Sequence, residues 1–342
     1  MNPLRYLLVP FSLLYAAIIE LRNLLYDLGL FKSYKAKVPV ISVGNITAGG
    51  TGKTPFVIYL GRLLQSHGKR VAVVSRGYGR VSRGLLRVSD GRKILVSPRQ
   101  GGDEPWLIAR RLPEAEVVVA EKRRDAIQAV EENVDVIILD DGFQHRAVAR
   151  DLDVVLISRR QSWRGNFVIP VGTLREPKYR LKRADVIVET HSDHDGPRAH
   201  TFTGQTVQAR FETNYLLDIS FVRHDLSMLR DATVFIFAAI AQPASFTEAV
   251  AGHGAQIAGL RFFRDHASYT VDAIEQVIRS AEKAQCRMLV CTEKDLVKLA
   301  ADDTIASLIK ATFAVYALSG NAVVEEPQFL REKLKSLLDI NV

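Results

Sequence analysis

Gly44-Asn45-Ile46-Thr47-Ala48-Gly49-Gly50-Thr51-Gly52-Lys53-Thr54-Pro55 stands between the apolar run Val38 to Val43 and the helix-like run Phe56 to Leu60. Strand, glycine loop and helix in that order make a phosphate-binding loop. Glycines let successive backbone N–H groups turn toward one anion without Cβ clashes, and the helix N-terminus adds partial positive charge. Lys53 and Thr54 supply a phosphate ligand and a Mg²⁺ ligand. The spacing G-x-x-x-x-G-K-[ST] asks for glycine at position 47, where this chain has Thr47. The flanking strand and helix outweigh that flaw. The sequence therefore reads as a nucleoside triphosphate binder, with Thr47, Ala48, Gly49, Gly50, Thr51, Gly52, Lys53 and Thr54 around the phosphates.

A second acidic element agrees. Val134 to Leu139 reads as a buried strand ending in Asp140-Asp141, where a P-loop protein places the carboxylate that holds Mg²⁺ and its waters. Around these motifs strands and helices alternate: strand 70–75, a hairpin turned at Asp90-Gly91, helix 104–111, strand 116–119, helix 122–132, then strands 134–139, 152–157 and 184–189. Alternation of this kind means a parallel sheet covered on both faces, with ligands at the carboxyl ends of its strands. From Ala232 it restarts with strand 233–238 and continues to a last helix over 328–338. The expected fold is α/β: a P-loop NTPase-like doubly wound parallel sheet, a second, smaller α/β domain and an N-terminal amphipathic helix. The expected boundaries are 1–35 for the helix, 36–200 for the P-loop domain, 201–230 for a β-rich connection and 231–342 for the smaller domain.

At 342 residues and 47% hydrophobic, the chain has enough apolar material for two cores. Its net charge of +8 points to an anionic partner. The basic residues cluster at Arg76 to Arg87, Lys122-Arg123-Arg124 and Lys178 to Arg183 without the interleaved aromatics of single-strand binders, so no nucleic-acid partner is expected. Cys286 and Cys291 flank one apolar strand and read as reduced core thiols. His191-Ser192-Asp193-His194-Asp195, with His200 beyond, reads as a solvated loop between domains rather than a metal site. Leu4 to Phe31 is nearly continuous apolar helix, but its uncharged core, Tyr6 to Ile19, is shorter than the ~20 residues of a spanning helix. It is expected to lie on an anionic membrane surface.

Several further motifs, taken in order, carry a family resemblance: Ser75-Arg76-Gly77-Tyr78-Gly79-Arg80, Gly102-Asp103-Glu104-Pro105, Asp140-Asp141-Gly142-Phe143-Gln144-His145-Arg146, Leu174-Arg175-Glu176-Pro177, Asp265-His266 and Thr292-Glu293-Lys294-Asp295. With the glycine loop they resemble the tetraacyldisaccharide 4'-kinases, the lipid A 4'-kinases of Gram-negative bacteria, from the N-terminal helix to about residue 300. The resemblance implies a kinase at the cytoplasmic face of the inner membrane, peripheral or monotopic, with ATP and Mg²⁺ as cofactors. It would move the γ-phosphate of ATP to the 4'-hydroxyl of a lipid disaccharide 1-phosphate. It implies Lys53 and Thr54 at the phosphates and metal, Asp140, Asp141 and Glu176 around Mg²⁺, and Asp103 with His266 activating the acceptor hydroxyl. Arg76 and Arg175 become candidates for substrate or phosphate contacts. Two departures stand out: Ala239-Ile240-Ala241-Gln242-Pro243 replaces a more glycine-rich segment, and Ala267 replaces a second histidine.

Other readings of the same residues stay open at this point. Asp103 sits where a helix N-cap belongs, and Glu176 is also readable as an ordinary loop carboxylate. His145 has no assigned role. A GTPase would read guanine with T-K-x-D, but the lysine of Thr292-Glu293-Lys294-Asp295 falls one position late, and a strand-to-helix turn accounts for that run. A partitioning-type ATPase would have lysine where Ala48 stands, and a non-catalytic basic adaptor has no need of Lys53-Thr54 with Asp140-Asp141.

Overall fold

The computed structural model describes residues 7–160, 167–191, 206–264, 267–325 and 327–339. Helix α1 (Val9–Asp27) precedes the alternating part of the chain, which runs β1 (Val40–Asn45), α2 (Lys53–Ser66), β2 (Val71–Ser75), β3 (Leu86–Asp90), α3 (Pro98–Gly101), α4 (Asp103–Arg111), β4 (Glu116–Val119), α5 (Arg123–Gln128), β5 (Val136–Asp140), β6 (Leu152–Ser158) and β7 (Val186–Thr190). The remainder runs β8 (Thr206–Asp218), β9 (Arg223–His224), β10 (Thr233–Ala238), α6 (Pro243–Ala251), β11 (Gln256–Phe262), α7 (Val271–Lys283), β12 (Met288–Thr292), α8 (Glu293–Ala300), α9 (Asp303–Thr312), β13 (Ala314–Glu325) and α10 (Gln328–Leu338).

In the first half, β1 lies between β5 and β6, with β2, β4 and β3 beyond β5. Strand residues alternate between two cores, as a pleated strand requires. Val71, Val73, Val117, Val119 and Ile138 pack with Phe56, Leu60 and Leu64 of α2 and Ile108 of α4. Their neighbours Ala72, Val74, Val118, Ile137 and Leu139 pack with Ala126 and Ile127 of α5. That double coverage is why these strands read as continuous apolar runs.

The expected domain division needs correction. Among the described residues thirteen strands form one sheet, in which β7 pairs with β8 and β8 pairs antiparallel with β13. The β8–β13 ladder runs from Tyr316↔Asp218 to Glu325↔Gln208, so the stretch expected as a connection is an integral strand. Helix α10, expected in the smaller domain, sends Leu330, Leu334 and Leu338 into the core of the first half. A separate core, built on Phe237, Ile274, Leu289 and Leu296, is made by β10, β12 and helices α7 to α9 with Val315 and Ala317 of β13 and Leu217 of β8. The hairpin at Asp90-Gly91 is reduced to a short bridge, Ser89↔Ile94, because β3 spends its pairing on β4.

Helix α1 is inside-out. Ser12 and Asn23 are its buried residues, whereas Phe11, Leu14, Ile18 and Leu21 are each roughly 60% exposed. Its polar groups seat it on the body: Ser12 donates to the Val168 carbonyl, Arg180 pairs with Glu20 at 2.5 Å and Asp27 at 2.9 Å, and Arg146 pairs with Asp27 at 2.7 Å.

Candidate functional site

Register brings the glycine loop and the acidic pair together. Val43 of β1 lies opposite Asp140 at the end of β5, so the loop leaves the sheet beside the aspartates. The approach is close: a Cβ on Gly44 would stand 2.6 Å from the Phe143 Cβ. Gly49 and Gly52 adopt φ of 111° and 81°, the left-handed region that favours glycine, and Gly52 is the N-cap of α2. Thr47 explains the missing glycine. It is not among the residues with positive φ, and it is buried in a bridge with Leu174. The segment 173–175 runs along the loop, with Ala48 N–H donating to the Thr173 carbonyl at 2.7 Å and Arg175 N–H to the Ile46 carbonyl at 2.8 Å.

Lys53 Nζ lies 3.4 Å from Asp141 Oδ1, and the Arg175 guanidinium lies 2.8 and 2.9 Å from the two Asp141 oxygens. Burial pushes the Asp141 carboxyl up, but these two cations together hold it below the usual carboxylate range. Asp141 also has φ of 51°, an unusual backbone for a residue with a side chain. Asp140 is different. It accepts from Ser75 Oγ at 2.9 Å, while its Oδ1 is buried with no hydrogen-bond partner among the described residues. Burial, with Glu104 and Asp141 nearby, pushes its carboxyl up to about 6. A buried carboxylate oxygen with nothing to accept from, in a cleft that Thr54 also lines, is what an oxygen-liganded cation would satisfy.

These groups line a cleft of about 1570 Å³. Arg76 lines it as well. So do Tyr15, Ile19 and Arg22 of α1, and Ile240, Ala241 and Gln242 from the second half. Gln242 reaches the Gly50 carbonyl at 3.4 Å, so the segment that departs from the glycine-rich pattern still touches the phosphate loop.

Glu176, expected around Mg²⁺, has its own buried partners. Its carboxylate is fully buried and accepts from Asn23 Nδ2 at 3.0 Å, with Arg183 Nη2 at 3.0 Å. It is the counter-ion beneath α1. Asp103 is not an N-cap: Gly102, with φ of 92°, holds that position, and Asp103 opens α4 with its carboxylate 3.9 Å from Lys298 Nζ. His266 and Asp265 lie outside the described residues, as does most of the loop 191–200. Thr292 caps α8 by accepting from Asp295 N–H, the strand-to-helix turn expected of that run. Cys286 and Cys291 are free and buried.

Three cleft residues escaped the reading of the sequence. Arg123, read there only as part of a basic cluster, is 6% exposed; burial pushes its pKa down while Asp141 draws it back up. Gln144 donates to the Asn45 carbonyl at 2.8 Å. His145 lines the cleft, with burial and then Arg123, Arg150, Arg22 and Arg76 pushing it down to about 4, so it is neutral. A usable signal existed for Arg123, which follows the carboxyl end of β4, where ligands of open parallel sheets gather.

A sequence model of the family described as LpxK, Tetraacyldisaccharide-1-P 4'-kinase, matches residues 4–339. The tetraacyldisaccharide 4'-kinase of Chlorobium phaeovibrioides is 40% identical over 98% of this chain and 99% of its own length. That of Syntrophus aciditrophicus is 40% identical over 89% of this chain and 87% of its own. A crystal structure of LpxK from Aquifex aeolicus in complex with ATP superposes with a TM-score of 0.80 at 34% identity, covering 98% of this chain and 99% of that one.

Proposed function

The chain belongs to the tetraacyldisaccharide 4'-kinase family, and from that premise we propose that its cleft moves the γ-phosphate of ATP to the 4'-hydroxyl of a tetraacyldisaccharide 1-phosphate in lipid A biosynthesis. The observation that carries this reading is the convergence of Lys53, Thr54, Asp140 and Asp141 where β1 and β5 end. Phosphoryl transfer asks mainly for alignment and charge neutralisation. The backbone N–H groups of residues 49–54 and the Lys53 ammonium supply the second to the phosphates. Arg175 fixes Asp141, and Ser75 fixes one oxygen of Asp140.

The unpartnered Asp140 Oδ1 and the all-oxygen character of Thr54, Asp140 and Asp141 fit Mg²⁺, which these three residues would hold. Held there, Mg²⁺ would supply positive charge against the negative charge that develops on the transferred phosphoryl group. Acceptor activation falls to Asp103 with His266, the histidine taking the sugar proton and the carboxylate orienting its ring. The two come from different halves of the chain, so turnover is expected to involve closure of the cleft.

The membrane surface is part of the same reading. By length and composition α1 could cross a bilayer. Its buried Ser12 and Asn23 and its ion pairs to Arg146 and Arg180 favour a helix fixed along the body with its apolar side outward, on the anionic cytoplasmic face of the inner membrane. That position presents Tyr15, Ile19 and Arg22 to a lipid entering the cleft.

Lys53→Ala is the test. It should lower kcat for phosphate transfer to the lipid disaccharide by about 10²–10³, the usual effect of losing one transition-state donor, with unchanged thermal melting. Wild-type transfer by the variant would refute the assignment, and nucleotide hydrolysis by the wild type without labelled lipid would turn the reading to a nucleotide switch.

A further inference from the structure

Between β2 and β3 the chain carries arginine at positions 76, 80 and 83, with Tyr78, Val81 and Leu85 interleaved. This loop is built. Gly77, Gly79 and Gly84 take φ of 67°, 76° and 72°, turns that glycine allows. Val81 N–H donates to the Arg99 carbonyl at 3.0 Å and Ser82 Oγ to the Gln100 carbonyl at 2.6 Å. Arg80 donates to the Gly84 carbonyl and, at 2.8 Å, to Glu121, whose carboxylate also accepts from Gly84 N–H at 3.0 Å. A loop pinned at this many points still turns its apolar side chains outward. Tyr78, Val81 and Leu85 are 71%, 60% and 50% exposed, and Leu95, whose N–H donates to the Val88 carbonyl, is 42% exposed. Single exposed apolar residues are ordinary, but a fixed loop that displays several together marks a contact surface.

The charge around the loop says what it contacts. Arg83 on the loop, Arg99 at its hydrogen bond with Val81 and Lys122 next to Glu121 are all exposed, while Glu121 itself is engaged by Arg80 and Gly84. Apolar tips within a basic rim match an anionic lipid surface, where the tips enter the interface and the cations meet headgroups. The loop also starts at the cleft, since Arg76 and Tyr78 line it together with Tyr15, Ile19 and Arg22 of α1.

We propose that the loop 78–85 is a second membrane contact apart from α1: Val81 and Leu85 enter the interface of an anionic bilayer, and Arg83, Arg99 and Lys122 meet its headgroups. The inference rests on the reading that the protein works at such a surface. A single helix lying in the interface leaves the body free to roll about the helix axis. A second contact fixes that roll, and with it the direction in which the cleft opens.

The experiment measures partition onto vesicles of phosphatidylethanolamine with phosphatidylglycerol, and onto phosphatidylcholine alone, with α1 intact. Val81→Asp with Leu85→Asp should lower partition onto the anionic vesicles by about tenfold or more, with melting unchanged because both positions are on the surface. Arg83→Glu with Arg99→Glu should lower it by about fivefold or more per position on anionic vesicles and have little effect on phosphatidylcholine. The aspartate variant should phosphorylate lipid disaccharide in detergent micelles with kcat and KM within about twofold of wild type, and lose rate on lipid carried in vesicles. Wild-type partition by both variants overturns the proposal. So does a raised KM for micellar lipid with unchanged partition, which would make the loop a grip on the acyl chains of the substrate. Should the aspartates disturb folding, Val81→Cys carrying an environment-sensitive fluorophore reports the same contact, since the chain's own Cys286 and Cys291 are buried. Its emission should shift to the blue on adding anionic vesicles, and an unshifted emission overturns the proposal. Wild-type protein that stays off anionic vesicles refutes instead the membrane reading on which the inference rests.

Discussion

Glu176→Gln separates a carboxylate that holds a helix from one that holds a metal. In the structure both Glu176 oxygens face donors: Oε2 accepts from Asn23 of α1, and Arg183 lies 3.0 Å from Oε2 and 3.2 Å from Oε1. Burial pushes the Arg183 pKa down and Glu176 is the chief influence raising it, so the variant leaves a buried cation without its counter-ion. Removing one partner of a buried pair costs roughly 3–5 kcal/mol. Glutamine keeps the volume and one acceptor, which favours the lower end. For 342 residues, at about 2.1 cal/mol/K each, the unfolding entropy is about 0.7 kcal/mol/K, and the expected fall in Tm is about 4 °C and no more than about 7 °C. The assay is thermal melting without nucleotide, paired with a Mg²⁺ titration of the kinase rate. The Tm should fall while the Mg²⁺ concentration giving half the maximal rate stays put. A Tm within about 1 °C of wild type, with a severalfold higher Mg²⁺ requirement, would refute the reasoning and return Glu176 to the metal set.

Changing Phe11, Leu14 and Ile18 of α1 together to Asp should release the protein from anionic liposomes, cutting partition at least about a hundredfold, because each large apolar side chain loses roughly 1.5–3 kcal/mol of burial. Melting should change little since the inner contacts of α1 are untouched, and equal flotation of both proteins would assign binding to the basic surface. His145 gives a pH prediction whose sign follows from its depressed pKa. Its folded value of about 4 lies below the unfolded ~6.5, so stability present above pH ~6.5 is lost as pH falls toward 4. The Tm difference between wild type and His145→Gln should therefore shift against wild type between pH 7 and 4 and stay constant above, and a pH-independent difference would place a charged His145 in the fold.

What the sequence made legible was local. The glycine loop and Asp140-Asp141 are short runs whose meaning is complete within a strand and its turn, and they stand where expected beside one another. Misreadings came from partners far along the chain. Glu176 is held by Asn23, 153 positions away, and no spacing rule connects them. The ladder from Tyr316↔Asp218 to Glu325↔Gln208 joins strands about 100 residues apart, so a stretch that reads as a connection is the seam of one sheet. Arg123 was hidden by its neighbours: a Lys-Arg-Arg run looks solvated, and only the fold turns its middle member into the cleft.

Arg175 and Glu176 are consecutive, and their side chains serve different structures. Arg175 holds Asp141 at the phosphate loop, while Glu176 holds Asn23 on the helix whose outer face is apolar. The backbone between them is itself fixed, since Arg175 N–H donates to the Ile46 carbonyl within the glycine loop. One dipeptide thus sets the distance between the apolar helix and the carboxylate paired with Lys53. A lipid acceptor that keeps its acyl chains at the membrane must present its sugar hydroxyl at a fixed height above that surface. On the proposed reading of α1 as a membrane-surface helix, tying it to the phosphate loop through adjacent residues would meet this requirement, with the lipid's depth and the phosphate's position measured from the same backbone.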